Sequence, residues 1–197
     1  MEKIAKTNST VDIDIDEIPK MSIRILLILI FIVFLPYLLI HGSDLREEIT
    51  ILSQLLDASF FSFLFRMVLV GTAFVAVSIL GILIHEAIHA VFFSLYLPSK
   101  FHGVKFGFNN EHGIPYVHIL EPISVLGFRI GAVMPLIILG ITPVTLGLYM
   151  GSLSLTAFGA LFTISASGDL LLIARTKGLP SDQKLKDLSD RIGFEVL

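Results

Sequence analysis

The 197-residue sequence contains no cysteine. That absence excludes a disulfide framework, thiolate metal ligands and a cysteine nucleophile, so any metal must be held by histidine, aspartate or glutamate. Charge is scarce as well: 16% of residues are charged, against roughly 25% in soluble domains. The net charge is only -3, and no Lys/Arg cluster points to a nucleic-acid partner. What the chain has instead is 54% hydrophobic residues, a mean hydropathy of +0.86 and several apolar runs of spanning length. A soluble fold this apolar would expose sticky surface, so the bilayer is the better solvent for most of it.

Residues 1–20 are polar, with an alternating Val11-Asp12-Ile13-Asp14-Ile15-Asp16 stretch, and read as an extended or disordered tail. The acidic stretch argues against a targeting signal, and with no clear small-residue cleavage site after it the first apolar run reads as a retained helix. That first span covers residues 21–40 and contains Pro36, which a membrane helix tolerates. A polar loop over 41–57 begins with Ser43-Asp44-Leu45-Arg46-Glu47, the pattern of a helix cap and a short interfacial helix. Residues 60–97 are almost continuously apolar; as one helix they would reach about 57 Å, which requires tilt, projection or a kink at Gly71 or Gly81.

Two strand-like runs then flank a turn-rich centre between Val104 and Ile119, a hairpin signal. A third span follows over 125–150, interrupted by Pro135 and Pro143, and a tight Gly151-Ser152 connection leads to a fourth over 153–174. The expected fold is therefore an all-α integral membrane protein, with four transmembrane helices at 21–174 and one β-hairpin between the second and third. Residues 175–197 form a polar C-terminal tail. Basic residues gather near the start of the first span, after the second and after the fourth, which by the positive-inside rule puts both termini in the cytoplasm.

The chemistry is concentrated in His85-Glu86-Ala87-Ile88-His89. A spacing of four places both imidazoles on one helix face, where they can share one Zn²⁺, with Glu86 beside the attacking water as general base. A glutamate between two histidines in a membrane helix costs a few kcal/mol unless something compensates, so such residues are functional by default. A catalytic zinc site generally takes three protein ligands. Asp169, in Ser167-Gly168-Asp169, lies at a depth in the fourth span matching that of His89 in the second, and Ser165, Ser167 and Gly168 would permit close helix approach. The bland alternative pairs Asp169 with Arg175 near the headgroups.

Other polar residues carry weaker expectations. Glu111, His112, His118 and Glu121 read as solvated loop residues that could line an entrance. Arg66 and Arg129 read as snorkelling to the two interfaces, and Pro135 as a bend in the third span.

These residues resemble a known group, the bacterial and archaeal membrane zincin peptidases, related in plan to the site-2 protease class. The resemblance covers residues 60–197. Its carriers are HEAIHA at 85–90, FGF at 106–108, the proline of GAVMP at 131–135, SGD at 167–169 and IGFEVL at 192–197. It implies His85, His89 and Asp169 as zinc ligands, Glu86 as catalytic acid/base and a prokaryotic cell membrane as the location. The sequence lacks the L-D-G tripeptide and any PDZ-like insertion of the site-2 proteases, so substrate identity does not transfer. The expected activity is hydrolysis of a peptide bond in a membrane-associated protein or peptide. The competing reading is a non-catalytic membrane zinc sensor or scaffold, in which Glu86 would have no special role.

Overall fold

The computed structural model describes residues 9–56, 59–109, 114–188 and 192–197. Helix α1 (Glu17–Leu29) opens with an acidic first turn, which suits the positive end of the helix dipole. The chain becomes π-helical over Ile30–Phe34 and continues as α2 (Leu35–Leu56). Pro36 has no N–H to give its preceding turn, and the wider π-helical turn just before it absorbs the mismatch. The polar loop expected over 41–57 is helical as far as Leu56. His41 (φ -113°, ψ 20°) bends α2 rather than ending it, and its Nε2 lies 2.7 Å from the Leu148 carbonyl oxygen.

The long apolar run forms one helix, α3 (Phe60–Ser94), about 52 Å long at 1.5 Å per residue. Strands β2 (Val104–Asn109) and β3 (Ile114–Ile119) then form the expected antiparallel hairpin, from Val104 opposite Ile119 to Asn109 opposite Ile114. Its turn, with Glu111 and His112, lies outside the described residues. After the short strand β4 (Ile123–Ser124), α4 (Val125–Pro135) starts with Ser124 as its cap, the hydroxyl accepting from the Gly127 amide at 3.1 Å. A second π-helical segment, Leu136–Ile141, joins α4 to α5 (Thr142–Met150) and again ends just before a proline, Pro143. Gly151 takes a left-handed conformation (φ 69°) and turns the chain into α6 (Leu153–Ser165), capped by the Ser152 hydroxyl.

The fourth span is broken. Helix α7 (Ser167–Arg175) leaves α6 at an angle of 42° across Ala166. Three helical stretches, Glu17–Ser43, Phe60–Ser94 and Val125–Met150, are long and apolar enough to cross a membrane, and the bent α6/α7 pair is a fourth if counted as one span.

The all-α expectation with a single hairpin needs correction. Strands β5 (Lys184–Asp187) and β6 (Gly193–Val196), from the expected C-terminal tail, join β4 and β1 (Ser9–Asp12), from the expected N-terminal tail. They make an antiparallel sheet in the order β1-β6-β5-β4, with Ser9 opposite Val196. What holds the tails is burial: Phe194, Leu185 and Ile123 are almost fully enclosed with Phe93, Phe128 and Ile119 in one core cluster. Each such side chain contributes about 1.5–3 kcal/mol, enough to order a four-residue strand when several act together. A second cluster joins Ile25, Leu29 and Val33 of the first helical stretch to Val144 and Ala160.

Arg129 is held at the end of the last helix. Its Nε donates to Thr176 Oγ1 (2.8 Å) and its Nη2 to the Thr176 carbonyl (2.6 Å), tying the end of α7 to α4. Arg66 is exposed on α3.

Candidate metal centre

The i, i+4 spacing on α3 brings His85 and His89 to one face, as helical geometry requires, with their Nε2 atoms 3.1 Å apart. Asp169, in the first turn of α7, reaches both: Oδ2 lies 3.2 Å from His85 Nε2 and Oδ1 lies 3.2 Å from His89 Nε2. The break at Ala166 positions this carboxylate, since α7 starts a new axis two residues before Asp169. The alternative pairing with Arg175 does not occur; Arg175 Nη2 donates to the Glu17 carboxylate at 2.6 Å instead.

The small residues around Asp169 act differently from the expectation. Ser167 is buried and its hydroxyl meets that of Ser22 on α1 at 2.8 Å, while a Cβ at Gly168 would find only Ile18, at 3.9 Å. They seat α7 against α1 rather than against α3. The close approach to α3 occurs one turn earlier in that helix, at Gly81, where a Cβ would fall 2.1 Å from the buried Phe162 ring of α6.

Both histidines are buried, with relative exposures of 7% for His85 and 5% for His89. They are held unequally. His89 Nδ1 donates to the Gly131 carbonyl at 2.9 Å, which fixes the tautomer and leaves the Nε2 lone pair directed at Asp169 and His85. Phe93 stacks on the same ring at 5.5 Å. Gly131 makes this possible, because a Cβ there would lie 2.2 Å from Phe93. His85 Nδ1 is buried and has no hydrogen-bond partner among the described residues.

The donor set fits zinc. Two imidazoles and one carboxylate are the borderline ligands that zinc accepts, and zinc–ligand distances near 2.0–2.1 Å put tetrahedral donor atoms about 3.3 Å apart. The two Nε2 atoms, 3.1 Å apart, are close to that value, and each Nε2 has a different Asp169 oxygen at 3.2 Å, so a small adjustment of the carboxylate brings one oxygen to both. Among the described residues, these three form a group of His, Asp or Glu side chains able to converge on one ion.

Glu86, half-buried on the adjacent position of α3, faces a cavity of about 520 Å³ that also exposes His85, His89 and Asp169. Its carboxylate faces the Val117 backbone amide of β3. The cavity is otherwise largely apolar, with Phe93, Phe128 and Leu172 on its wall.

His118 also lines this cavity, in contrast to the solvated role expected of it. Its Nδ1 donates to Asp187 Oδ2 at 2.7 Å, and the same carboxylate accepts from the Ile119 amide at 3.0 Å. Asp187 is the polar cavity residue that sequence reasoning missed. It sits in the charged run Lys184-Leu185-Lys186-Asp187, and the only cue was the single buried Leu185 inside that run. Burial is the largest influence on Asp187 and pushes its carboxyl above the ordinary aspartate value. Glu121 stands apart from this group and accepts from the Ser99 hydroxyl and amide.

No curated protein and no solved structure matches the chain. Residues 78–182, more than half of the sequence, match a family model described as "Putative zincin peptidase", so the stretch carrying His85, Glu86, His89, His118 and Asp169 places the chain in that family.

Proposed function

We propose that the protein is a membrane-embedded zinc peptidase that hydrolyses a peptide bond in a membrane-associated substrate. The observation that carries this reading is the convergence of His85, His89 and Asp169, one donor atom from each lying within 4.8 Å of the others, with Glu86 beside them on the cavity wall. Those three residues would hold the metal. When bound, zinc supplies Lewis acidity, which acidifies a water and polarises a carbonyl.

The chain's own residues do the rest. Glu86 accepts the proton released as the water attacks and returns it to the leaving amine. The two buried imidazoles and the half-buried Asp169, mutually oriented, keep the acceptor geometry fixed. A glutamate at this place favours an enzyme over a sensor or scaffold, because a structural site needs no base and is usually closed by four protein ligands.

The outer edge of β3 supports a peptide as substrate. Cleavage requires an extended segment, and a strand edge offers main-chain hydrogen bonds to one. The Leu120 amide turns toward β2, donating to the Gly103 carbonyl, so by strand alternation Val117 and Ile119 turn their amides away from the hairpin. Val117 meets Glu86 there. The apolar stretches and the distribution of basic residues support four crossings with both termini in the cytoplasm.

The test is metal analysis of the detergent-purified chain and of His85→Ala, Glu86→Gln and Asp169→Ala. Near-stoichiometric zinc in the unmodified chain and in Glu86→Gln, with loss in the other two, supports the ligand set. No metal under zinc-replete conditions sinks the peptidase reading.

A further inference from the structure

From the contacts of Asp187 we infer that the two terminal segments form a latched roof over the site, and that Asp187 is the latch a peptide must displace. The inference rests on the proposed peptidase reading for its purpose but not for its geometry. Part of the cavity wall comes from outside the helical bundle: Ile15 lies between β1 and α1, Leu188 follows β5, Ile192 precedes β6 and Gly193 opens it. These pieces belong to one sheet. Strands β1 and β6 are fully paired, and they close so tightly that a Cβ at Gly193 would lie 2.3 Å from the Val11 carbonyl oxygen.

The roof meets the hairpin through Asp187. Its carboxylate takes the outward amide of Ile119 and the imidazole of His118 together. The outward amides of Val117 and Ile119 stand two residues apart, about 7 Å along the strand, the repeat at which an added strand would present its carbonyls. The Ile119 amide is already filled by an Asp187 carboxylate oxygen, and the Val117 amide faces the Glu86 carboxylate. Asp187 therefore occupies the place of a substrate carbonyl, and a peptide cannot extend along β3 past Glu86 until the roof lifts from it.

The experiment uses the full chain in detergent, loaded with zinc, and compares it with Asp187→Asn and His118→Gln. Two quantities are read: amide hydrogen exchange by segment, and the rate at which EDTA removes the metal. Asp187→Asn should speed exchange in 184–187 and 193–196 by about tenfold, the effect of losing one charge-assisted hydrogen bond, while α3 and α4 are unchanged. Zinc loss should accelerate with it at unaltered stoichiometry. His118→Gln, which keeps the Ile119 contact, should give a smaller increase in the same segments. Unchanged exchange in both variants, or an equal rise in α3, overturns the latch. A zinc-free unmodified chain overturns the peptidase reading instead, and the exchange pattern then still decides the latch.

Discussion

His89 Nδ1 donates to the Gly131 carbonyl at 2.9 Å, so a metal-ligand candidate on α3 takes its orientation from the backbone of α4. Gly131→Ala should disturb this without touching any donor atom, because the added methyl would collide with Phe93, which stacks on His89. Zinc affinity is expected to fall about 10–100-fold, the usual cost of disturbing a ligand's support. Competition against a chelator of known affinity measures it; unaltered affinity would show that Phe93 can move away freely.

Removing the base and removing the ligands should have separable effects. Glu86→Gln is expected to bind zinc as well as the unmodified chain, and to retain the thermal stabilisation that zinc gives, about 2.7 kcal/mol at a hundredfold excess over Kd. Asp169→Ala should lose most of that stabilisation. Melting curves at a series of free zinc concentrations read both, and a Glu86→Gln chain that no longer responds to zinc would assign the glutamate to the ligand set.

The contact of Gly81 with Phe162 sets the distance between α3 and α6. Gly81→Ala should destabilise the protein by about 1–3 kcal/mol through overpacking. Adding Phe162→Leu should recover part of that loss, since the two changes share one contact. Equal, additive losses in a double-mutant cycle would mean that the helices are spaced by other residues.

Asp187 gives a pH dependence of defined sign. Burial raises its folded-state pKa above the ordinary value of 3.8, so the folded chain binds a proton more readily than the unfolded one across that window. Its contribution to stability therefore grows as pH falls through the raised value toward 3.8 and declines as pH rises. The stability difference between the unmodified chain and Asp187→Asn should shift in favour of the unmodified chain on acidification from neutral pH. A difference that shifts the other way would show that the His118 pairing outweighs burial.

The meeting of His85, His89 and Asp169 was legible because its determinants are local or periodic. A spacing of four fixes a shared helix face whatever the tertiary fold, and Asp169 was found from its depth in an otherwise bare apolar run. The hairpin was legible from its two strand-like runs. The terminal sheet was not, since its strands are four residues or shorter and polar, and pair across almost the whole chain, Ser9 with Val196. No local pattern records a partner that far away. The end of the first span failed for a different reason: His41 breaks the regular backbone without breaking the helix, so a bend was read as a loop.

The pairing of Ser9 with Val196 also bears on topology as simple counting. Two segments hydrogen-bonded in one sheet occupy the same aqueous compartment, because a sheet cannot be shared across a hydrocarbon layer. Under the proposed membrane reading, the path between them must then cross the bilayer an even number of times. That parity argues against three crossings and for treating the bent α6/α7 pair as a complete one, and it requires reporters fused to the two ends to signal from one side.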